Sequence, residues 1–210
     1  MFDSDTVIVC DLDDTLYNES EYQSSGYNAV IDFITSIYGL DKTKLKQLVA
    51  EGGDVLEALS AYIGFPTIKE SLLWVYRLHS PKISLAEDVQ VFIDAIRQKK
   101  IKFVLLTDGR SLSQRLKIEA LGLSDFEVFI SEEYNNAVKP APQRFELIQN
   151  RYLAKQFVYV GDNLSKDFVT PNRLNWTTIG IRPKRNAIHK HDLGEFPSEF
   201  QPNYWINNLR

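Results

Sequence analysis

Five short runs of this chain, Thr6–Cys10 and residues 101–106, 126–130, 157–160 and 177–181, are apolar almost without interruption and rich in β-branched side chains. An unbroken apolar run suits a strand covered on both faces, and strands of that kind belong to parallel sheets. Helical patterning lies between them: residues 85–99 precede the second run, residues 111–121 follow it and stop at Gly122, and residues 142–152 precede the fourth. Strand and helix alternating in this way, joined by right-handed crossovers, predict an α/β fold built on a doubly wound, Rossmann-like parallel sheet.

One interval breaks the rhythm. Tyr27, Val30, Ile31 and Ile34 fall at i, i+3, i+4 and i+7 before Gly39, and Leu45, Leu48 and Val49 repeat the pattern. Val55, Leu56, Leu59 and Ile63 do so again before Pro66, and Leu72, Leu73 and Tyr76 share the face of a last segment. The expectation is a small all-helical cap subdomain, residues 18–84, inserted into a core made of residues 1–17 and 85–210. An insertion just after the first strand would stand above the carboxyl ends of the strands, where open α/β sheets bind ligands.

The strand ends carry the chemistry. Asp11 is the first polar residue after the first run, and Asp13 and Asp14 follow so closely that the three carboxylates should repel one another. Thr107-Asp108-Gly109 follows the second run, Lys139-Pro140 comes after the third, and Gly161-Asp162-Asn163 follows the fourth, with Asp167 shortly beyond. One rim would therefore gather Asp11, Asp13, Thr107, Lys139, Asp162 and Asp167. So many carboxylates in one crevice call for a cation, and an all-oxygen set suits Mg²⁺, which binds through one or two carboxylates plus a substrate phosphate. Lys139 and the Thr107 hydroxyl then serve as phosphate contacts. A metal-bound carboxylate can attack phosphorus, and a second one two residues on, on the same side of an extended chain, can move protons.

The net charge of −4 argues against nucleic acid as the main partner, because phosphate-backbone binding normally needs a basic surface. The single cysteine, Cys10, cannot form an internal disulfide and reads as core filler in a reduced, cytoplasmic protein. No apolar stretch is long enough for a signal peptide or a membrane span, so no membrane partner is expected.

Asp11-Leu12-Asp13-Asp14-Thr15, Thr107-Asp108-Gly109, Lys139-Pro140 and Gly161-Asp162-Asn163 with Asp167 resemble, in order and spacing, the four motifs of the haloacid dehalogenase superfamily. The helical insert resembles its α-helical C1 cap, and residues 201–206 resemble a closing segment these proteins carry. The resemblance implies Asp11 as nucleophile and metal ligand, and Asp13 as general acid/base that also lends its backbone carbonyl to Mg²⁺. It implies Thr107 and the backbone amides of Asp108 and Gly109 as phosphate contacts, and Lys139 as the group steadying charge on nucleophile and phosphate. Asp162 would complete the metal site. Asp167 and Asn163 would stand behind the ligands, Asp167 orienting Lys139 or a water.

Superfamily members that cleave carbon–halogen or carbon–phosphorus bonds lack an aspartate at the position of Asp13, since no alkoxide needs a proton there. Its presence implies a Mg²⁺-dependent phosphatase acting on a small phosphorylated metabolite such as a nucleoside monophosphate or sugar phosphate. A phosphomutase, or a catalytically silent relative that binds a phospho-metabolite or a partner protein, stands as the alternative. Substrate choice is expected from Arg110, Tyr17 and Arg77. Tyr17 opens residues 17–22, read as hinge and pocket wall or as an exposed linker. Arg110 either reaches the site or opens a solvated helix, and Arg77 and His79 either hold a second polar group or decorate the surface. The basic residues of 182–185 and 189–191 either attract anions or are simply solvated. Two departures stand out: Asp108, whose side chain either points away or crowds the phosphate, and Pro171, which should bend or shorten the helix after the fourth motif.

Overall fold

A computed structural model describes residues 5–182 and 196–209. Strands β1 (Thr6–Cys10), β2 (Lys102–Thr107), β3 (Glu127–Ile130), β4 (Gln156–Gly161), β5 (Thr177–Ile181) and β6 (Tyr204–Ile206) pair in parallel in the order β3-β2-β1-β4-β5-β6. The chain winds from β1 outward to β3, then returns to the other side of β1 to lay down β4, β5 and β6. The direction reverses between β1 and β4, and the crevice at such a switch point is where this fold class takes ligands.

β1 is buried along its whole length, which explains its uninterrupted apolar run. Val7 and Val9 join Val104, Leu106, Phe129 and Tyr159 on the face packed by Phe145, Ile148, Phe168 and Trp176. Ile8 turns the other way, toward Phe92 and Ile96. The helices of this unit are α5 (Glu87–Lys99), α6 (Ser111–Ala120), α7 (Gln143–Arg151) and the five-residue α8 (Val169–Arg173), with α5 and α7 on opposite faces of the sheet. Pro171 falls in the first turn of α8, where no intrahelical partner awaits its missing N–H, and the helix is indeed short. β6 was absent from the expected strands: three residues give no period to read, and Tyr204 sits exposed at the sheet edge.

The chain divides into two compact units, one combining the chain up to Ser20 with that from Ser84 onward, the other Glu21–Ile83. Helix α1 (Glu19–Tyr38) runs from the first into the second, which also holds α2 (Lys42–Glu51), α3 (Val55–Ile63) and α4 (Lys69–Leu78). Asp41 and Asp54 cap α2 and α3, accepting from the backbone of Thr43 at 2.8 Å and Glu57 at 3.1 Å. The core of this unit is Val30, Ile31, Ile34, Leu45, Val55, Leu56, Leu59 and Leu72, the residues whose helical spacing marked them. Residues 17–22 are no linker, because α1 starts at Glu19 and Asp14 Oδ1 accepts the Glu19 N–H at 2.9 Å. Among the described residues no helix is long and apolar enough to cross a membrane.

Candidate active site

At the carboxyl end of β1 the backbone leaves the sheet through Asp11, whose N–H still donates to the Val160 carbonyl at 2.9 Å. That bond fixes Asp11 beside the end of β4, where Asp162 emerges. Asp14 turns the loop in the left-handed region, with φ 53°. Thr15 then reaches across, its hydroxyl donating to Asp162 Oδ1 at 3.1 Å.

Lys139 is buried among carboxylates. Its Nζ lies 2.7 Å from Asp11 Oδ1 and 2.6 Å from Asp167 Oδ1, and it also donates to the Tyr159 hydroxyl at 3.2 Å. Burial alone would strip its proton, yet Asp11 and Asp167 outweigh that and raise its pKa. Asp167 is fully committed: Oδ1 also accepts from Tyr159 at 2.9 Å, and Oδ2 accepts the N–H groups of Asp162 at 3.1 Å and Asn163 at 2.8 Å. Gly161 allows this approach, since a Cβ there would lie 2.5 Å from Asp167 Oδ2. One lysine cannot neutralise the whole set. Burial pushes Asp11 up to about 7 against the pull of Lys139, and burial with Asp167 and Asp11 pushes Asp162 up to about 9.

Asp13 stands in a different setting. Lys117 Nζ donates to its Oδ1 at 2.7 Å, Gln114 Nε2 donates to its Oδ2 at 2.9 Å, and the Tyr17 hydroxyl also donates to Oδ1. Burial would raise its pKa, but the Lys117 charge and these hydrogen bonds prevail and hold it below the ordinary carboxylate value.

Asp11, Asp13, Thr107, Asp108, Lys139 and Asp162 line one pocket of about 120 Å³, together with Asn163, Glu19 and Lys166. The Thr107 hydroxyl in its wall is buried without a hydrogen-bond partner. The carboxyl of Glu19 is pushed up to about 7, by burial and then by Asp13. Size alone does not mark this place: an apolar recess of about 350 Å³ between α5 and the sheet has Lys99 as its one charged wall residue.

The turn after β2 follows one of the two readings of Asp108 and departs from expectation at Gly109. Asp108 does not crowd the pocket with its charge. Its carboxylate accepts the Lys139 N–H at 3.1 Å and pairs with Arg144, whose fully buried guanidinium also donates to the carbonyls of Thr107 at 2.8 Å, Phe129 at 3.1 Å and Ala137 at 2.8 Å. The Gly109 N–H, expected to face phosphate, is instead committed to Ser131 Oγ at 2.9 Å. Gly109 itself has φ 137°, and a Cβ there would meet Gln114 Nε2 at 2.8 Å.

The specificity residues fare differently. Tyr17 is brought to the site, on Asp13. Arg110 is half-exposed and its guanidinium lies 3.6 Å from Glu132, outside the pocket wall. Arg77 belongs to the Glu21–Ile83 unit, 5.7 Å over the Trp74 ring. His79 is a core residue there, with Nδ1 2.6 Å from the Tyr76 carbonyl and Nε2 3.1 Å from Ser25 Oγ. The basic segments 182–185 and 189–191 lie, beyond Arg182, outside the described residues. Sequence reasoning missed Lys117, Gln114 and Arg144. The signal was present: Gln114 and Lys117 occupy the buried stripe of α6 in register with Ile118, where apolar residues belong.

Residues 6–168 match the haloacid dehalogenase-like hydrolase family model. The chain is 28% identical to glyceraldehyde 3-phosphate phosphatase of Methanocaldococcus jannaschii, covering 97% of this chain and 93% of the relative. It is 30% identical to the protein of the same name from Methanopyrus kandleri over 83% of each, and 21% identical to ribulose-1,5-bisphosphate 5-phosphatase of Halopiger xanaduensis over 97% and 96%. Among solved structures, a 2-haloacid dehalogenase from Pseudomonas syringae superposes with a TM-score of 0.63 at 18% identity, covering 97% of this chain and 94% of that one. A phosphatase from Thermococcus onnurineus reaches 0.60 at 22%, with the same coverage. At these identities the solved structures speak for the fold.

Proposed function

The chain belongs to the haloacid dehalogenase-like hydrolase family, and within it we propose a Mg²⁺-dependent phosphatase acting on small sugar phosphates. The observation that carries this reading is the pocket itself. Asp11 and Asp13 front it together, Lys139 sits on Asp11, and the buried Thr107 hydroxyl lacks a partner that a phosphoryl oxygen would provide.

Mg²⁺ fits the donor chemistry. Asp11, Asp162 and Asp167 offer oxygens within 4.8 Å of one another, and the first two are carboxylates that burial leaves short of positive charge. Asp167 has both oxygens engaged, so Asp11 and Asp162, with the Asp13 carbonyl, are the natural ligands and Asp167 the brace. When bound, the ion neutralises these carboxylates and the phosphoryl oxygens.

A carboxylate oxygen of Asp11 attacks phosphorus, and the bond from phosphorus to the ester oxygen breaks. Asp13, which Lys117 and its hydrogen-bond donors hold ionised in the free enzyme, takes up a proton as the negative phosphoryl group arrives beside it. It gives that proton to the ester oxygen, so that an alcohol departs. Asp13, now a carboxylate, takes a proton from water, whose oxygen attacks the aspartyl-phosphate. The bond from phosphorus to Asp11 breaks, inorganic phosphate leaves, and Asp13 is again protonated. Lys139 keeps its charge beside Asp11 throughout.

The sugar-phosphate class is supported by the names of the relatives, which act on phosphorylated three- and five-carbon sugars, and by a pocket of about 120 Å³. The test is phosphate release from glyceraldehyde 3-phosphate, ribulose 5-phosphate, a hexose 6-phosphate and a nucleoside monophosphate, with Mg²⁺ and with EDTA, for wild type and Asp11→Asn. Release that requires Mg²⁺, prefers a sugar phosphate and vanishes in Asp11→Asn is expected. Transfer of phosphate between sugar hydroxyls without release would replace the phosphatase by a mutase.

A further inference from the structure

Lys117 is 5% exposed at its side chain, and a buried lysine is tolerated only when paired. Its partner is Asp13. Gln114, one turn earlier on α6, grips the other oxygen of the same carboxylate and at 2.7 Å donates also to the Asp108 carbonyl, which ties α6 to the turn after β2. Tyr17 completes the grip from the loop that leaves β1. A carboxylate held at one oxygen can swing about its last torsion, whereas one held at both by donors from two elements has a single orientation. Asp13 keeps 18% of its side chain exposed and lines the pocket. None of the four sequence motifs contains Lys117 or Gln114.

We propose that Lys117, Gln114 and Tyr17 are positioning residues that aim Asp13 for proton transfer and receive the carboxylate formed when its proton leaves, fitting the enzyme to esters of poorly acidic alcohols. The inference rests on Asp13 being the acid/base. An alkoxide is too basic to depart without a proton, so its departure depends on how Asp13 is held. A nitrophenolate departs without one. As the Asp13 proton moves to the ester oxygen, the growing negative charge finds the Lys117 ammonium and two neutral donors already oriented, with no reorganisation left to make. Lys117 stands outside the pocket lining, and it acts through Asp13.

The experiment compares kcat and KM on the best alkyl phosphate of the panel and on p-nitrophenyl phosphate, with saturating Mg²⁺, for wild type, Lys117→Met, Gln114→Ala, Tyr17→Phe and Asp13→Asn. Lys117→Met should lower kcat on the alkyl ester at least about tenfold more than on the aryl ester, with KM on the alkyl ester moving less than about threefold. Gln114→Ala and Tyr17→Phe, each removing one neutral donor, should shift the ratio the same way by roughly two- to fivefold, and they decide the matter if thermal melts show Lys117→Met unfolded. Equal losses on the two esters, or none, while Asp13→Asn still discriminates between them, would overturn the positioning role and leave the acid/base reading standing. An Asp13→Asn variant with the wild-type ratio would overturn that reading and this inference with it.

Discussion

In the Glu21–Ile83 unit the buried polar residues Ser25, Ser60 and His79 all have partners, and the Thr35 hydroxyl is the one buried polar side-chain atom among its described residues without one. Ser60 Oγ donates to the Leu56 carbonyl at 2.7 Å, Ser25 Oγ accepts the Lys82 N–H at 2.8 Å, and His79 is held at both ring nitrogens. At the carboxyl rim of the sheet, by contrast, charge goes unsatisfied as well. Asp11 and Asp162 are carboxyls that burial pushes up to about 7 and about 9, and Thr107 has a hydroxyl with no partner. Folding alone accounts for the first arrangement. The second leaves charge and hydrogen-bonding capacity unsatisfied, which a chain retains where a ligand supplies what is missing.

Four substitutions or conditions sharpen that contrast. Asp11→Asn should lower phosphate release by roughly 10³-fold or more, the scale on which loss of a nucleophile acts, while the metal-free melting temperature holds or rises. A large fall in melting temperature would mean that the rim is built for stability after all. Leu59→Ala, in the apolar core of the helical unit, should cost about 2–5 kcal/mol in chemical denaturation through the cavity it leaves, and a loss under about 1 kcal/mol would show that the site collapses freely. Thr107→Val removes a hydroxyl that nothing satisfies, so stability should be unchanged or higher while kcat/KM falls about 10²-fold. Activity within twofold of wild type would remove Thr107 from the phosphate contacts.

The smallest effect concerns pH. Asp11 and Asp162 have folded-state pKa values raised above 3.8, so the unfolded chain releases those protons first as pH rises. Their contribution to stability is complete below about pH 4 and is lost as pH climbs through about 7 and toward about 9. The metal-free protein should therefore melt at progressively lower temperature from acid to mildly alkaline solution. Mg²⁺, which favours the ionised carboxylates, should flatten the decline, so that its stabilising effect grows with pH. Melting curves with EDTA and with Mg²⁺ across that range check both slopes, and a Mg²⁺ effect independent of pH would count against Asp11 and Asp162 as ligands.

The sheet was legible because each buried strand writes its burial into a continuous run of residues, and the insert because helical spacing is local. The three residues of β6 were too few to carry a period. The motif residues were legible as types at strand ends, but their partners were not. Thr15 and Asp162 are 147 positions apart, and no local pattern displays such a contact. Gln114, Lys117 and Arg144 lie on helix faces where a polar residue reads as a flaw in amphipathicity until its acceptor is known. Asp108 shows the same limit from the other side, since its charge in the second motif is answered by Arg144, far along the chain.

The strand order has a consequence for synthesis. β1, the central strand, is made first, yet its hydrogen-bonding partners Lys102–Thr107 and Gln156–Gly161 are made about 100 and 150 residues later. At roughly 5–20 residues per second, β1 waits on the order of ten seconds or more on the ribosome for its second neighbour. During that interval the Glu21–Ile83 helices, whose contacts are mostly local, can already assemble around their own core. An apolar strand with both edges open is the segment of a nascent chain most in need of a chaperone. A ribosome-stalling series ending before and after Gly161 should find the helical unit protected from protease in both, and β1 protected only in the longer.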